Sequence, residues 1–153
     1  MAVVLVTGMS GVGKSTVLGE LARRGHAVVD TDGGGWIELV PEPLWREDRV
    51  TALLDGHTAG HLFLAGTVAN QGRLYPRFDA VVLLSAPVEV LLERVAARTT
   101  NDFGKAADER RRIVADTEQV EPLLRARATV EVDTRRPLAD VVDVVLRAAT
   151  DPR

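Results

Sequence analysis

Hydrophobic and polar positions along the chain fall into two kinds of segment, short apolar runs and longer stretches with helical spacing. Apolar, β-branched runs predict five buried strands, at residues 2–7, 26–30, 61–65, 79–84 and 129–133. Apolar residues three and four positions apart predict helices at residues 15–24, 44–55, from 87, from about 106, and from 137 to 149. Strands that alternate with helices predict an α/β protein with a parallel sheet and helices on both faces.

The loops that follow the strands are where such a fold binds its ligands, because the carboxyl ends of parallel strands share one edge of the sheet. The loops to examine begin at Gly8, Asp30, Ala65, Ser85 and Asp133. Residues 31–43 hold three successive glycines and two prolines and are predicted as a loop. Residues 66–78 are predicted as a polar connection.

Composition narrows the class of protein. A length of 153 residues, 46% of them apolar, predicts one domain over residues 1–153. A net charge of −3 argues against a nucleic-acid partner, although a local cluster of cations can still bind a small anion. The sequence has no cysteine, no apolar stretch of about 18 residues and no signal-peptide pattern. We therefore expect a cytoplasmic protein that contacts no membrane, as a monomer or a dimer.

The strongest motif follows the first strand, where GMSGVGKST matches the phosphate-loop pattern G-x-x-x-x-G-K-[ST]. Its glycines let backbone N–H groups turn inward around phosphate oxygens, at the positive end of the next helix. Lys14 is placed to bridge the β- and γ-phosphates, and Ser15 to offer a hydroxyl to Mg²⁺. The motif predicts binding of a nucleoside triphosphate by Gly8, Ser10, Gly11, Val12, Gly13, Lys14, Ser15 and Thr16.

The short chain, the early phosphate loop and the five strand–helix units resemble the shikimate-kinase and nucleoside-monophosphate-kinase group of P-loop kinases. Neither lysine lies in the N-K-x-D sequence that a regulatory GTPase needs. The resemblance covers nearly the whole chain. It implies a three-layer P-loop NTPase fold with a five-stranded parallel sheet and a short lid at about residues 99–112. It also implies ATP and Mg²⁺ as cofactors and a small-molecule phosphoryl acceptor.

Two carboxylates follow the second predicted strand. The sequence Asp30-Thr31-Asp32 is similar to the D-[TS]-D of shikimate kinases and related small-molecule kinases. The resemblance implies that Asp30 helps to hold Mg²⁺ and that Asp32 binds or deprotonates the acceptor hydroxyl. The alternative is that two aspartates merely cap a turn. Their place at the ligand-binding edge of the sheet favours the functional interpretation.

Arginines supply the remaining positive charge. Arg94 and Arg98 lie four residues apart, in a sequence that resembles the lid entry of these kinases. The resemblance implies that both close over the phosphates, where a guanidinium neutralises charge on the transferred group; a solvated charged face is the alternative. Near the fifth strand, DTRRP resembles the family's adenine loop, which implies that Arg135 or Pro137 packs on the base. A plain helix entry is the alternative there.

The acceptor site is predicted less sharply. The family contacts its acceptor after the third strand, and arginines of the second helix and the following connection can bind an anionic group. The candidates are Asp32, Arg46, Arg49, Gly66, Thr67, Asn70 and Arg73. The glycine triplet follows the second strand, whereas shikimate kinases carry theirs after the third, so the sequence does not indicate shikimate itself.

Together these observations predict an ATP- and Mg²⁺-dependent phosphotransferase that acts on a small polar or anionic metabolite. Two alternatives stay open at this point. One is a nucleoside-monophosphate kinase. The other, from a different class, is a non-catalytic module that binds ATP and signals its presence to a partner.

Overall fold

The computed structural model describes residues 2–39, 42–97 and 106–150. Strands and helices alternate along these residues. The strands are β1 (Val3–Thr7), β2 (Ala27–Asp30), β3 (Ile37–Leu39), β4 (Pro43–Trp45), β5 (Leu62–Ala65), β6 (Ala80–Ser85) and β7 (Val130–Asp133). The α-helices are α1 (Lys14–Arg23), α2 (Glu47–Gly56), α3 (Val88–Ala97), α4 (Ala107–Arg127) and α5 (Leu138–Thr150). A 3₁₀ helix, Gln71–Arg77, lies within the predicted polar connection.

Five strands form one parallel sheet in the order β2-β5-β1-β6-β7. The register pairs Asp30 with Ala65 and Ser85 with Asp133, so the carboxyl ends of the strands meet at one edge. The predicted five-stranded parallel sheet is confirmed. The first strand lies in the middle of the sheet, and the loop that follows it therefore opens at the centre of the ligand-binding edge.

The three central strands β5, β1 and β6 are buried on both faces of the sheet, which explains why they are almost entirely apolar. Side chains alternate along β1: Val4 and Val6 belong to a core shared with α1 and α5, whereas Leu5 belongs to a second core shared with α2. All three side chains are inaccessible to solvent. The molecule has the predicted three layers, with helices on both sides of the sheet.

The segment between β2 and α2 differs from the predicted loop and helix. Residues 31–43 were expected to form a loop and residues 44–55 a helix, but β3 and β4 pair as an antiparallel hairpin and α2 begins only at Glu47. Tertiary contacts decide this: the buried Trp45 indole N–H donates to Thr31 Oγ1 at 3.0 Å, and the Trp45 backbone N–H donates to Asn70 Oδ1 at 2.8 Å. A helical spacing of apolar residues cannot reveal such distant partners.

The predicted lid lies only partly within the described residues. Helix α4 begins at Ala107, close to the predicted start of the charged helix. Residues 107–112 of the predicted lid are therefore helical. Arg98 and residues 99–105 lie outside the described residues, and the lid itself stays a prediction.

Candidate active site

The phosphate loop joins the central strand to α1. Gly13 has φ of +106° and caps the helix, whose first turn holds no acidic residue. The positive end of the helix therefore faces the loop without a carboxylate from its own first turn. Lys14 Nζ donates to Gly8 O at 2.6 Å and to Met9 O at 3.4 Å, so the ammonium lies across the loop.

Gly11 is the position where the loop approaches α3 most tightly. Its φ is +82°, and a Cβ there would lie 2.8 Å from Leu91 O and 2.9 Å from Val95 Cγ2. We expect Gly11→Ala to lower the free energy of unfolding by about 1–3 kcal/mol, because the backbone is strained and the neighbour is a backbone carbonyl. Urea denaturation measures this change.

The control for that substitution lies on α1. Gly19 has no atom within 4 Å of where a Cβ would stand. Gly19→Ala should raise the free energy of unfolding by about 0.5–1 kcal/mol, because alanine is the better helix former. Equal urea midpoints for the two variants would contradict the close approach of the loop to α3.

Ser15, Asp30 and Asp32 come together at the end of β2. Ser15 Oγ donates to Asp30 Oδ2 at 2.7 Å, and the Asp32 backbone N–H donates to Asp30 Oδ1 at 3.1 Å. Hydroxyl and carboxylate oxygens are the donors that Mg²⁺ prefers, and Mg²⁺ usually takes its remaining ligands from water and substrate phosphates. Ser15 and Asp30 fit this requirement. The described residues hold no cluster of three or more His, Cys, Asp or Glu arranged for a metal.

Lys14 and Asp32 influence each other's charge. Loss of hydration lowers the pKa of Lys14, while the carboxylates of Asp32 and Asp30 act in the opposite direction. At Asp32, partial desolvation of the carboxyl raises its pKa, opposed by Lys14 and reinforced by Asp30, although much of the residue's surface is open to solvent. A carboxylate with a raised pKa is a better proton acceptor than an ordinary one.

A network of polar side chains, two of them buried, forms hydrogen bonds to the start of the phosphate loop. Thr67 Oγ1 donates to Gly8 O at 2.6 Å and accepts from the Gly8 N–H at 3.2 Å. It also lies 3.1 Å from Thr7 Oγ1, which accepts from Gln71 Nε2 at 3.1 Å. Thr7 and Gln71 are buried. The segment after β5 thus holds the first glycine of the phosphate loop in place.

A cavity of about 450 Å³ opens beside the phosphate loop, and we call it the larger cavity. Its walls come from the phosphate loop, the end of β2, the start of β4, the segment after β5, and α4. The lining residues are Gly8, Met9, Ser10, Lys14, Asp32, Glu42, Pro43, Thr67, Val68, Ala69, Arg112, Ile113, Asp116, Val120 and Leu124. The predicted residues Gly8, Ser10, Lys14, Asp32 and Thr67 therefore share one space.

A second cavity, of about 250 Å³, lies beside the same loop, and we call it the smaller cavity. It is lined by Val12, Gly13, Thr16, Val17, Arg94, Thr134, Leu138 and Val141. Arg94 is held firmly there. Its NH1 donates to Val12 O at 3.1 Å and to Thr134 Oγ1 at 2.7 Å, and its NH2 donates to Thr134 O at 3.0 Å. The guanidinium joins the phosphate loop to the loop after β7.

The three arginines predicted for the acceptor lie elsewhere. Arg46 NH1 is 3.6 Å from Glu38 Oε2, Arg73 Nε is 3.4 Å from Glu47 Oε1, and Arg49 donates to a backbone carbonyl. None of them lines either cavity. The structure does not bring these side chains to the site.

Four further predicted residues have mainly structural surroundings. Asn70 bonds to both backbone groups of Trp45, and a Cβ at Gly66 would lie 2.4 Å from Thr31 Oγ1. The exposed Arg135 pairs with Asp133, and neither Arg135 nor Pro137 lines the smaller cavity. Their flanking residues Thr134 and Leu138 line it instead.

Sequence reasoning missed several lining residues of the larger cavity, chiefly Glu42 and Asp116, and it included Arg112 only as part of the predicted lid. Arg112 and Asp116 follow the helical spacing that Ile113, Val120 and Leu124 also follow, which places all five on one face of α4. That spacing was the available signal. Nothing in the sequence around Glu42 indicates that the hairpin brings it to the same cavity.

A phosphate loop between the central strand and the first helix, at the carboxyl edge of a parallel sheet, defines a protein with the P-loop NTPase fold. A family model described as "AAA domain" matches residues 4–115. The chain belongs to this family. None of the helices in the described ranges is long and apolar enough to cross a membrane.

Known proteins with a similar sequence or structure are consistent with this fold. The chain is 33% identical over 147 residues to "Nucleotide-binding protein sce5766" of Sorangium cellulosum, and it spans 39% of that relative's length. Among solved structures it is similar to a shikimate kinase from Acinetobacter baumannii, with a TM-score of 0.68, 22% identity and coverage of 100% of this chain and 95% of that one. A gluconokinase from Sinorhizobium meliloti gives a TM-score of 0.61 at 21% identity, covering 98% and 94% of the two chains. The predicted resemblance to P-loop small-molecule kinases is confirmed at the level of the fold.

Proposed function

We propose that this protein is an ATP- and Mg²⁺-dependent phosphotransferase that moves the γ-phosphoryl group of ATP to a hydroxyl of a small polar metabolite. One observation carries the proposal: Lys14 of the phosphate loop and the Asp32 carboxyl line the same cavity, which has room for a small molecule. A phosphate loop that only bound ATP would need neither this cavity nor a carboxylate with a raised pKa beside it.

The two cavities suggest where ATP lies. The phosphate loop runs between them, because Ser10 and Lys14 line the larger cavity and Val12 and Thr16 line the smaller one. We place the triphosphate on residues 8–16 and the base in the smaller cavity, beside Arg94. The γ-phosphate end then faces the larger cavity, where the acceptor binds.

The chemistry follows from these positions. Lys14 balances negative charge on the transferred group, and Ser15 and Asp30 would hold Mg²⁺, which would supply further positive charge at the phosphates. The oxygen of the acceptor hydroxyl bonds to the γ-phosphorus, and Asp32 accepts the proton of that hydroxyl. At the same time the bond between the γ-phosphorus and the oxygen that bridges it to the β-phosphate breaks, and ADP leaves. Such a site works chiefly by positioning two reactants in line.

Arg94 stabilises the phosphate loop next to the proposed position of the adenine base, because its guanidinium donates hydrogen bonds to Val12 and Thr134. A direct contact of Arg94 or Arg98 with the γ-phosphate stays a prediction. The packing of Arg135 or Pro137 on the adenine base also stays a prediction. So does the closure of a lid formed by residues 99–112, which would exclude water from the transfer.

The test follows γ-labelled ATP. The pure protein, with ATP and Mg²⁺, is mixed with a metabolite extract, and mass spectrometry identifies any compound that gains the label. Label in a new phosphorylated compound supports the proposal and names the acceptor; a labelled nucleoside diphosphate would indicate a nucleoside-monophosphate kinase. Label that stays in ATP or appears only as free phosphate, with copurification of a partner protein, would favour an ATP sensor.

The metal site gives a separate prediction. Asp30→Asn should raise the Mg²⁺ concentration needed for half-maximal activity by about tenfold or more, because an amide cannot replace the carboxylate charge beside Ser15. A magnesium titration at saturating ATP measures this. The control is Asp48→Asn on α2, an exposed carboxylate outside both cavities, which should leave the titration unchanged. Equal midpoints for the two variants would remove Asp30 from the metal site.

A further inference from the structure

The charges around the larger cavity are unbalanced. Three carboxylates line it, those of Asp32, Glu42 and Asp116, against the cations of Lys14 and Arg112. Lys14 donates to backbone carbonyls of the phosphate loop and, on the proposed function, meets the phosphates of ATP. Arg112 Nε lies 3.7 Å from Asp116 Oδ2. Among the described residues that line this cavity, little positive charge is left for an acidic acceptor.

Glu42 and Asp116 are available to a ligand. Glu42 is exposed and forms no ion pair with a residue in the ranges 2–39, 42–97 and 106–150. Asp116 is half exposed, and its contact with Arg112 is long and open to solvent. Long, exposed ion pairs contribute little, so a ligand can displace this one at small cost.

Part of the cavity wall is apolar. Met9, Val68, Ile113 and Leu124 are buried and line it together with Val120. Such walls pack against carbon atoms of a ligand, whereas the carboxylates need a donor. A neutral ligand would bury these carboxylates without compensating their charge, which is unfavourable, and an anionic ligand would also be repelled by them.

We propose that the phosphoryl acceptor is a cationic hydroxylated amine, such as an amino alcohol or an amino sugar, with its ammonium group at Glu42 and Asp116 and its hydroxyl at Asp32. This inference rests on the proposed function. It narrows the polar or anionic acceptor that the sequence predicts, because the arginines expected to bind an anion lie outside the cavity.

Matched acceptors test the proposal. Two series of hydroxylated compounds each contain an anion, a neutral compound and a cation: glycerate, glycerol and aminopropanediol, and glucuronate, glucose and glucosamine. With ATP and Mg²⁺, ADP formation gives kcat/KM for each compound. The amine should exceed the matched acid by about tenfold in at least one series, because two solvent-exposed carboxylates each attract the ammonium group weakly and each repel the acid.

Variants assign the effect to particular carboxylates. Glu42→Gln and Asp116→Asn should each lower the preference for the amine over the acid by about threefold, through the acceptor's KM, with the KM for ATP unchanged. Glu118→Gln is the matched control, because Glu118 is an exposed carboxylate of α4 that does not line the cavity. Thermal unfolding of each variant confirms that it is folded.

The outcomes separate this inference from the proposed function. Transfer that favours the acids, or that is insensitive to Glu42→Gln and Asp116→Asn, overturns the inference and leaves the phosphotransferase in place. If no compound is phosphorylated, NMR measures binding of the six probes beside a non-hydrolysable ATP analogue. Amine binding that needs Glu42 and Asp116 then supports the preference of the larger cavity for amines, and it counts against these compounds as phosphoryl acceptors. Binding of the acids, or of no probe, overturns the inference.

Discussion

Replacing Lys14 with alanine is expected to lower kcat by about 10²–10³-fold, the loss that follows removal of one preorganised group at a developing negative charge. Lys14 lines the larger cavity, and its ammonium contacts the Gly8 and Met9 carbonyls. Because desolvation already disfavours the charged side chain, its removal should not lower the melting temperature. Single-turnover kinetics at saturating ATP and circular dichroism measure the two quantities.

A charge control accompanies this variant. Arg23→Ala removes one positive charge from the same helix, at an exposed position away from both cavities. It should leave kcat unchanged. Turnover by Lys14→Ala at the rate of Arg23→Ala would mean that the phosphate loop does not carry the chemistry.

Replacing Asp32 with asparagine is expected to lower kcat by about 10²–10⁴-fold, the range for loss of a general base, with little change in the KM for ATP. Asparagine keeps the size of the side chain but cannot accept the acceptor's proton. The expected effect differs from that of Asp30→Asn, which should act through the magnesium requirement. An Asp32→Asn variant that responded only to added Mg²⁺ would make Asp32 a metal ligand instead.

The pH dependence of the native protein gives an independent reading of Asp32. Desolvation raises its pKa above the ordinary value of 3.8. Activity should therefore fall as the pH falls through this raised pKa, because the protonated carboxyl is no base. Asp32→Asn should remove this acidic limb from the residual activity, and a profile unchanged by the substitution would place the titrating group elsewhere.

The same shift has a consequence for stability. Between 3.8 and the raised pKa, folded Asp32 holds its proton more tightly than the unfolded chain does, so its contribution to stability falls as the pH rises through that window. Above it, the ionised carboxyl is a net cost to the fold. Asp32→Asn should therefore be at least as stable as the native protein at neutral pH, and a lower melting temperature there would contradict the cause assigned to the shift.

Local patterns were sufficient for most of the fold. A strand that is buried on both faces is recognisable as a continuous apolar run of a few residues, and the phosphate loop is defined by glycines and a lysine at fixed spacing. The hairpin was the main failure. Trp45 has the spacing of a helical residue. However, its indole N–H donates to Thr31 and its backbone N–H donates to Asn70, and both partners are distant in sequence.

The sequence by itself determined the five strands of the parallel sheet, the phosphate loop and the carboxylates that follow β2, because each of these depends on residues that are neighbours along the chain. Only the tertiary structure decided what surrounds them. Arg94 meets Thr134 across 40 positions, and Glu42 and Asp116 reach one cavity from a hairpin and a distant helix. The order of the strands in the sheet determines which distant residues come into contact. That order depends on burying apolar surface over the whole molecule, so it cannot be predicted from a local sequence pattern.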